Sequence, residues 1–399
     1  MRVLFLSDLY FPFVGGAEEV CRMEAEELAK KGHDVFVVTS SMPNLNRYEE
    51  VHGVKIYRLD LRNIQLNESS TGLSWLIIGS VNHLLSYNPF SAQKVKKTIE
   101  KLEPEIIHVH NVGGEIPLIV LLSLRNLKCN LKAKIIMSLH DYRLICPRAT
   151  LFCHVGIPCG VPRVGCNMFV RLQKIMLGDS TIQFVAPSKF LADRFKEKFG
   201  NAEITVIPNP IQKIDVKPKK SSDQFQILYI GRLVWYKGIR TLLEAFRILK
   251  NENVRLLVAG SGPELETVKR YSRVNHRIIP LGFISEGEKQ RLLKNVNFIT
   301  VPSLWPEPLS MLILESFGSG TPVIASKIGG NPEVIKDGVN GRLFEPGDSE
   351  ELSKILAELA ENYEEEFRKL QRGAAESAYK YQIDRHIELL ENVYSEVTL

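Results

Sequence analysis

Asn297-Phe298-Ile299-Thr300-Val301, Pro302-Ser303-Leu304-Trp305-Pro306-Glu307-Pro308-Leu309-Ser310, Met311-Leu312-Ile313-Leu314-Glu315-Ser316-Phe317-Gly318 and Pro322-Val323-Ile324-Ala325 occupy most of residues 297–325. The first and last segments are short apolar runs rich in β-branched residues, and they predict strands buried on both faces; the segment from Met311 has the length of a crossover helix. Strand, Pro-rich loop, helix and strand form one βαβ unit. The loop of such a unit lies at the carboxyl end of a strand, where open parallel sheets bind their ligands.

The same alternation extends outward through the chain. Residues 226–230 and 255–259 read as further strands of this half, with helices near 239–250, 263–271 and 286–295. In the other half, residues 3–7, 35–39, 106–110, 134–139 and 182–186 read as strands and 17–30, 92–102 and 189–199 as helices. The polar, Pro- and Lys-rich segment 215–223 interrupts the pattern near the midpoint, as an exposed linker does. The expected fold class is therefore α/β, with two doubly wound, Rossmann-like domains facing a central cleft. Residues 1–210 form the first, residues 211–380 the second, and residues 381–399 a C-terminal helix expected to pack back on the first.

The length of 399 residues exceeds what one hydrophobic core usually serves, which agrees with two domains. A chain 44% hydrophobic and 24% charged, without repeats or low-complexity tracts, is expected to be ordered and globular. No apolar run reaches the ~20 residues that cross a bilayer, and the start reads as a buried strand rather than a signal peptide, so a cytoplasmic location is expected. The net charge of +5 does not argue for nucleic acid. Its distribution is uneven: residues 125–198 carry 13 basic and 4 acidic side chains, which suggests an anionic partner.

Four loops carry candidate chemistry. Gly15 and Gly16 sit between the first strand and the first helix, where glycine lets a phosphate or hydroxyl approach free backbone N–H groups, although a tight turn alone also needs glycine. Gly231-Arg232-Leu233-Val234-Trp235-Tyr236-Lys237-Gly238 follows the first strand of the second half, and its two cations can converge on a diphosphate. In the opening stretch, Glu307 lies in the Pro-rich loop and Glu315 inside an apolar helix, where a carboxylate needs a partner: sugar or ribose hydroxyls, or a neighbouring Arg. The N–H groups of Ser310, Met311 and Leu312 at that helix start can hold phosphates. Finally, a buried strand leads into the turn Gly329-Gly330-Asn331-Pro332-Glu333, which fits either a nucleotide-facing wall or simple turn formation.

Together these segments closely resemble glycosyltransferase family 4, retaining enzymes of the GT-B fold, over most of the chain. The resemblance rests on Gly-Arg-x4-Lys-Gly at Gly231–Gly238, on Glu307 and Glu315 as an E-x7-E pair, and on the Gly-Gly-x-Pro-Glu turn. It implies a hexosyltransferase that moves sugar from a nucleotide diphosphate sugar to a glycan or lipid-linked acceptor, with an acceptor-side first domain and a donor-binding second domain. Arg232 and Lys237 are then expected to neutralise the diphosphate, Glu307 to contact the donor sugar and Glu315 to hold the ribose. Gly15, Gly16, Gly231, Leu309, Ser310, Met311 and Leu312 complete the expected donor site. His140, after a first-domain strand, matches the family's catalytic histidine, whereas His108 and His110 share one strand face and His108 reads as structural. No Asp-x-Asp pair occurs, so catalysis is expected to need no cofactor and no carboxylate-held metal. A nucleotide-sugar 2-epimerase or phosphorylase of the same fold, or a non-catalytic nucleotide-sugar-binding subunit, is the alternative.

Cys146, Cys153, Cys159 and Cys166 cluster in a stretch that reads as loop, with spacings of six, five and six residues. Four thiolates can close a structural zinc site, but the Cys-x2-Cys knuckle is absent, and free or paired thiols are the alternatives. The basic surplus, next to the apolar segment 73–85, suggests a peripheral membrane surface; packing of that segment under the first domain explains it as well.

Overall fold

A computed structural model describes residues 1–13, 15–61, 89–112, 116, 120, 133–154, 157–159, 164–178, 182–200, 202–212, 225–361 and 363–396. The expected apolar segment 73–85 lies outside them.

In the first half, strands β1 (Arg2–Leu6), β2 (Asp34–Ser40), β3 (Tyr48–Val51), β4 (Val54–Leu59), β5 (Ile106–Val109) and β6 (Lys134–Ser138) are followed by a small hairpin, β7 (Phe152–His154) and β8 (Ile157–Pro158). Strands β9 (Gln183–Ala186) and β10 (Ile204–Val206) complete an eight-stranded sheet of order β10-β9-β6-β5-β1-β2-β4-β3. All its pairings are parallel except β3 with β4. Val3, Leu4, Phe5 and Leu6 are all buried, with alternate residues feeding the two cores on opposite faces of the sheet, as a doubly covered strand requires. Helices α1 (Gly16–Lys30), α2 (Pro89–Leu102), α3 (Val164–Leu177) and α4 (Lys189–Phe199) belong to this half.

The second half holds β11 (Phe225–Ile230), β12 (Val254–Ala259), β13 (Ile278–Gly282), β14 (Phe298–Val301), β15 (Val323–Ser326) and β16 (Gly341–Phe344). They form a wholly parallel sheet of order β13-β12-β11-β14-β15-β16. Helices α5 (Ile239–Ile248), α6 (Leu265–Val274), α7 (Glu286–Asn295), α8 (Met311–Gly318), the short α9 (Asn331–Val334), α10 (Ser349–Glu361) and α11 (Tyr363–Ala378) accompany them. In each sheet the strand order reverses once: between β1 and β5, and between β11 and β14. Those reversals open the crevices in which a doubly wound sheet receives its ligand.

The chain crosses between the two halves twice, and the crossings run side by side. Ile211 N donates to Tyr381 O at 2.7 Å, and Ile383 N donates to Ile211 O at 2.9 Å. Beyond them, α12 (Ile383–Glu396) lies on α1, where Ile383, Ile387, Leu390, Val393 and Tyr394 join the core of Val3, Phe5 and Leu28. Full burial of each such side chain contributes about 1.5–3 kcal/mol, so the terminal helix is an integral part of the first half.

The stretch read as loop around Cys146–Cys166 needs correction in its middle, where Cys153 lies on β7 of the hairpin, and at its end. Cys166 lies on α3, whose buried Phe169, Gln173, Met176 and Leu177 recur at helical spacing. Helix periodicity there was hidden by the glycine and proline residues just upstream.

Candidate functional site

The loop after β11 is shaped by contact with its neighbour. Gly238 has φ 73°, and a Cβ on it would fall 1.7 Å from the Pro302 carbonyl oxygen, so only glycine lets α5 begin this close to the loop after β14. The approach brings Lys237 Nζ to 3.0 Å from Glu307 Oε1 and to 5.2 Å from the centre of the Trp305 ring. The Ser303 hydroxyl donates to the same carboxylate oxygen, and Glu307 is only 5% exposed. Arg232, by contrast, is exposed; its guanidinium lies 6.0 Å from the Tyr236 ring and has no carboxylate partner among the described residues. One cation of the expected pair is thus committed to Glu307 and the other is available.

Glu315 on α8 is held by Lys289 of α7, with Nζ 3.0 Å from Oε1. Burial pushes its carboxyl above the ordinary range even against the pull of Lys289. The expected partner was an arginine or a ligand hydroxyl; a lysine one helix earlier takes that place. Leu309 and Ser310 are buried, and the Ser310 side chain makes no capping bond at the start of α8. The N–H groups of Met311 and Leu312 have no hydrogen-bond partner among the described residues, so an electropositive helix end is left open. Across from it, Gly15 precedes α1 without a side-chain cap, and a Cβ on Gly16 would sit 3.5 Å from Met311 Cγ. The glycine loop of the first half therefore meets the start of α8.

Several bonds fasten the loop that bears Glu307 to the first half. The Tyr142 hydroxyl donates to Pro306 O, and Ser188 Oγ donates to Pro308 O at 2.6 Å. Gly329 and Gly330 are used against backbone: Cβ atoms there would fall 2.2 Å from Glu307 O and 2.1 Å from Pro308 O. Glu333, just beyond, accepts hydrogen bonds from Lys189 N and Phe190 N at 2.7 Å each, so it caps α4 from the opposite half.

His140, beyond β6, is partly exposed, and its Nε2 lies 2.9 Å from His110 Nδ1. Desolvation, helped by His110 and Arg143 and opposed by Glu24, lowers its pKa to about 3, so the ring is neutral at ordinary pH. His108 is fully buried between Tyr394 Oη and Ser138 Oγ, each at 2.8 Å, which fits the structural role read from sequence. Among the described residues no hydrogen bond or ion pair joins His140 to Lys237 or Glu307; what relates them is their position at strand ends of opposing sheets. Sequence reasoning named Glu333 only as the end of the Gly-Gly-x-Pro-Glu turn, and it missed Glu24, Ser188 and His386. Of these only Glu24 carried a signal, a carboxylate on the buried face of an amphipathic helix.

Cys146 is buried in the first core, Cys166 is partly exposed on α3, and the Cys153 side chain lies outside the described residues. Cys146, Cys159 and Cys166 do not gather at ligand distances among the described residues. The one such group found among them is Glu24, His108 and His110, with ligand-type atoms within 4.8 Å of one another.

Residues 14–213 match the family described as Glycosyltransferase Family 4, and residues 210–381 match Glycosyl transferases group 1. The chain belongs to glycosyltransferase family 4. This family 4 enzyme is 28% identical over 370 residues to the glycosyltransferase MJ1607 of Methanocaldococcus jannaschii, covering 86% of this chain and 84% of that one. It is 26% identical over 373 residues to the alpha-monoglucosyldiacylglycerol synthase of Streptococcus pneumoniae, covering 86% and 75%. Among solved structures, HepE of Anabaena in complex with UDP-glucose superposes with a TM-score of 0.72 at 19% identity, covering 99% of the enzyme and all of HepE. That likeness shows the GT-B fold, two Rossmann-like domains whose strand ends oppose each other.

Proposed function

We propose that the enzyme transfers a hexose, with retention of configuration and without a metal, from a nucleoside diphosphate donor to a glycan or lipid-linked acceptor. The observation that carries this reading is the Lys237–Glu307 pair at the crevice between β11 and β14, beside the open N–H groups of Met311 and Leu312. Arg232, Lys237 and that helix start bind the diphosphate; Glu307 meets the sugar hydroxyls, exchanging its bond with Lys237 for bonds to the donor; Glu315 turns from Lys289 to the ribose. As the C1–O bond to the diphosphate breaks, negative charge grows on the leaving oxygen, where these fixed donors stabilise it most. The acceptor oxygen forms its bond to C1 on the same face, and its proton passes to the leaving phosphate oxygen. The absence of Asp-x-Asp supports cations of the chain, rather than a bound one, as the neutralising charge.

The glucosyldiacylglycerol synthase among the relatives supports a lipid acceptor. So does α3, which exposes Met168, Leu172 and Ile175 along one stripe beside exposed Arg171 and Lys174, a pattern suited to an anionic membrane surface. A thermal-shift screen of nucleotide sugars followed by transfer assays in excess chelator tests the reaction. Transfer that persists with EDTA is expected; activity lost to EDTA and restored by magnesium overturns the metal-free reading. Co-sedimentation with anionic and neutral liposomes tests the surface, and no preference for anionic vesicles at low salt rejects it.

A further inference from the structure

Four histidines, one carboxylate and one phenol from α1, the ends of β5 and β6, and α12 form a single network, buried except at His140. Glu24 stands at its centre. His386 Nε2 lies 2.9 Å from Glu24 Oε1, while His386 Nδ1 lies 2.8 Å from the Pro208 carbonyl oxygen. A carbonyl oxygen only accepts, so Nδ1 carries hydrogen; a carboxylate also only accepts, so Nε2 carries hydrogen too. His386 is thus an imidazolium paired with an ionised Glu24. Although burial opposes that charge, His110 and His386 together hold the Glu24 carboxyl well below its ordinary range.

The second oxygen, Glu24 Oε2, faces His110 Nε2 at 3.3 Å as an ion-pair contact, and neither atom makes a hydrogen bond among the described residues. The nearby His108 Nδ1, 3.5 Å from that oxygen, is already bonded to Tyr394. Facing an anionic acceptor, His110 Nε2 carries the hydrogen. With hydrogen on Nε2 toward Glu24, whose single negative charge His386 already matches, Nδ1 is left as the acceptor in the contact that His110 makes with His140. That lone pair points at His140 Nε2. The two rings are 5.0 Å apart between centres and only 26° from coplanar, which fits an in-plane N–H···N bond.

We infer that Glu24 and His110 are positioning residues which hold His140 as the Nε2–H tautomer, leaving its Nδ1 lone pair as a hydrogen-bond acceptor for a substrate hydroxyl. His140 Nδ1 has no partner among the described residues, and the ring borders a small crevice with Asn209 and His386. The inference rests on the proposed transfer reaction for its purpose, not for the tautomer itself. A neutral imidazole has one donor and one acceptor nitrogen, and the bond at one end dictates what the other end offers.

The test is nitrogen-15 NMR of the full chain labelled in histidine, with His140→Asn used only to assign the resonances. The expected spectrum shows His140 protonated at Nε2 and bare at Nδ1 near neutral pH; a proton at Nδ1 overturns the inference without any need for a positioning variant. His110→Asn keeps an acceptor near the Nδ1 position and is expected to retain the tautomer, whereas His110→Leu is expected to lose it and lower kcat about 10–100-fold with little change in donor KM, as loss of an outer partner does. Glu24→Gln offers His110 a donor and is expected to reverse the chain, moving the His140 proton to Nδ1. A His140 spectrum unchanged in both His110→Leu and Glu24→Gln rejects the relay. The Nε2–H form in a protein that transfers no sugar supports the assignment and sinks the reaction instead.

Discussion

Lys237 and Glu307 show how the surroundings of a residue settle its chemistry. The two neutralise each other at 3.0 Å, so the site avoids an unpaired buried carboxylate; in the proposed reaction both exchange that bond for bonds to the donor. Lys237→Ala is expected to lower kcat by about 10²–10³-fold, the range for removing one stabiliser of the leaving charge. Near-normal turnover in that variant would remove Lys237 from the mechanism. Glu307 and Glu315 are held by different lysines, which separates their roles: Glu315→Gln should weaken the bare nucleotide, while Glu307→Gln should weaken nucleotide sugar far more than nucleotide. Titration calorimetry with both ligands checks the division, and equal effects of the two variants would refute it. These residues were legible because their spacing along the chain is a motif. Ser188 and His386 were not, and Glu333 was legible only as part of a turn, because each acquires its role through contacts far away in sequence, as when Glu333 reaches Lys189 and Phe190.

At the scale of elements, the strands buried on both faces were readable from apolar runs alone, and β1, β11 and β14 lie within a residue of their expected bounds. The β3–β4 hairpin was not assigned: its turn, His52-Gly53, has positive φ at both positions, and its strands alternate polar and apolar because one face is open. Edge strand β13 escaped for a related reason, since Ile279 and Leu281 point outward. The α5 start is a rigid joint, and Gly238→Ala should destabilise the fold by about 1–3 kcal/mol, the cost of forcing a side chain into that backbone region. Urea denaturation measures this; an unchanged midpoint would show that the loop shifts freely. The elements around Glu24 set a pH dependence. His108 and His140 are held below their usual 6.5, chiefly by burial, so the unfolded chain takes up protons there first as pH falls. The depressed Glu24 carboxyl acts in the same direction over the carboxylate range, with the raised Glu315 opposing it. Stability should therefore decline steadily from about pH 6.5 toward pH 3. Urea midpoints that rise over that interval would contradict the assigned protonation states.

On the scale of the whole molecule, the two halves meet through the loop that carries Glu307. Tyr142, Ser188 and Glu333 bind across the junction at or beside that loop, so the contacts that join the halves also fix the carboxylate proposed to meet the sugar. Glu333→Gln should leave nucleotide affinity nearly intact and lower kcat, and small-angle scattering should find the variant more open when donor is bound; identical scattering profiles would break the link. The division into two doubly wound sheets could be anticipated from the linker composition, but the side-by-side crossings at Ile211 and Tyr381 could not, being a property of three-dimensional routing. That routing bears on how the protein is made. The core beneath α1 remains uncovered until Ile383, Ile387, Leu390 and Tyr394 have been synthesised, so the half that leaves the ribosome first is the last to be finished. The nascent chain should hold a compact second domain while its first remains open to proteolysis, and the first should become resistant only after the final helix is released.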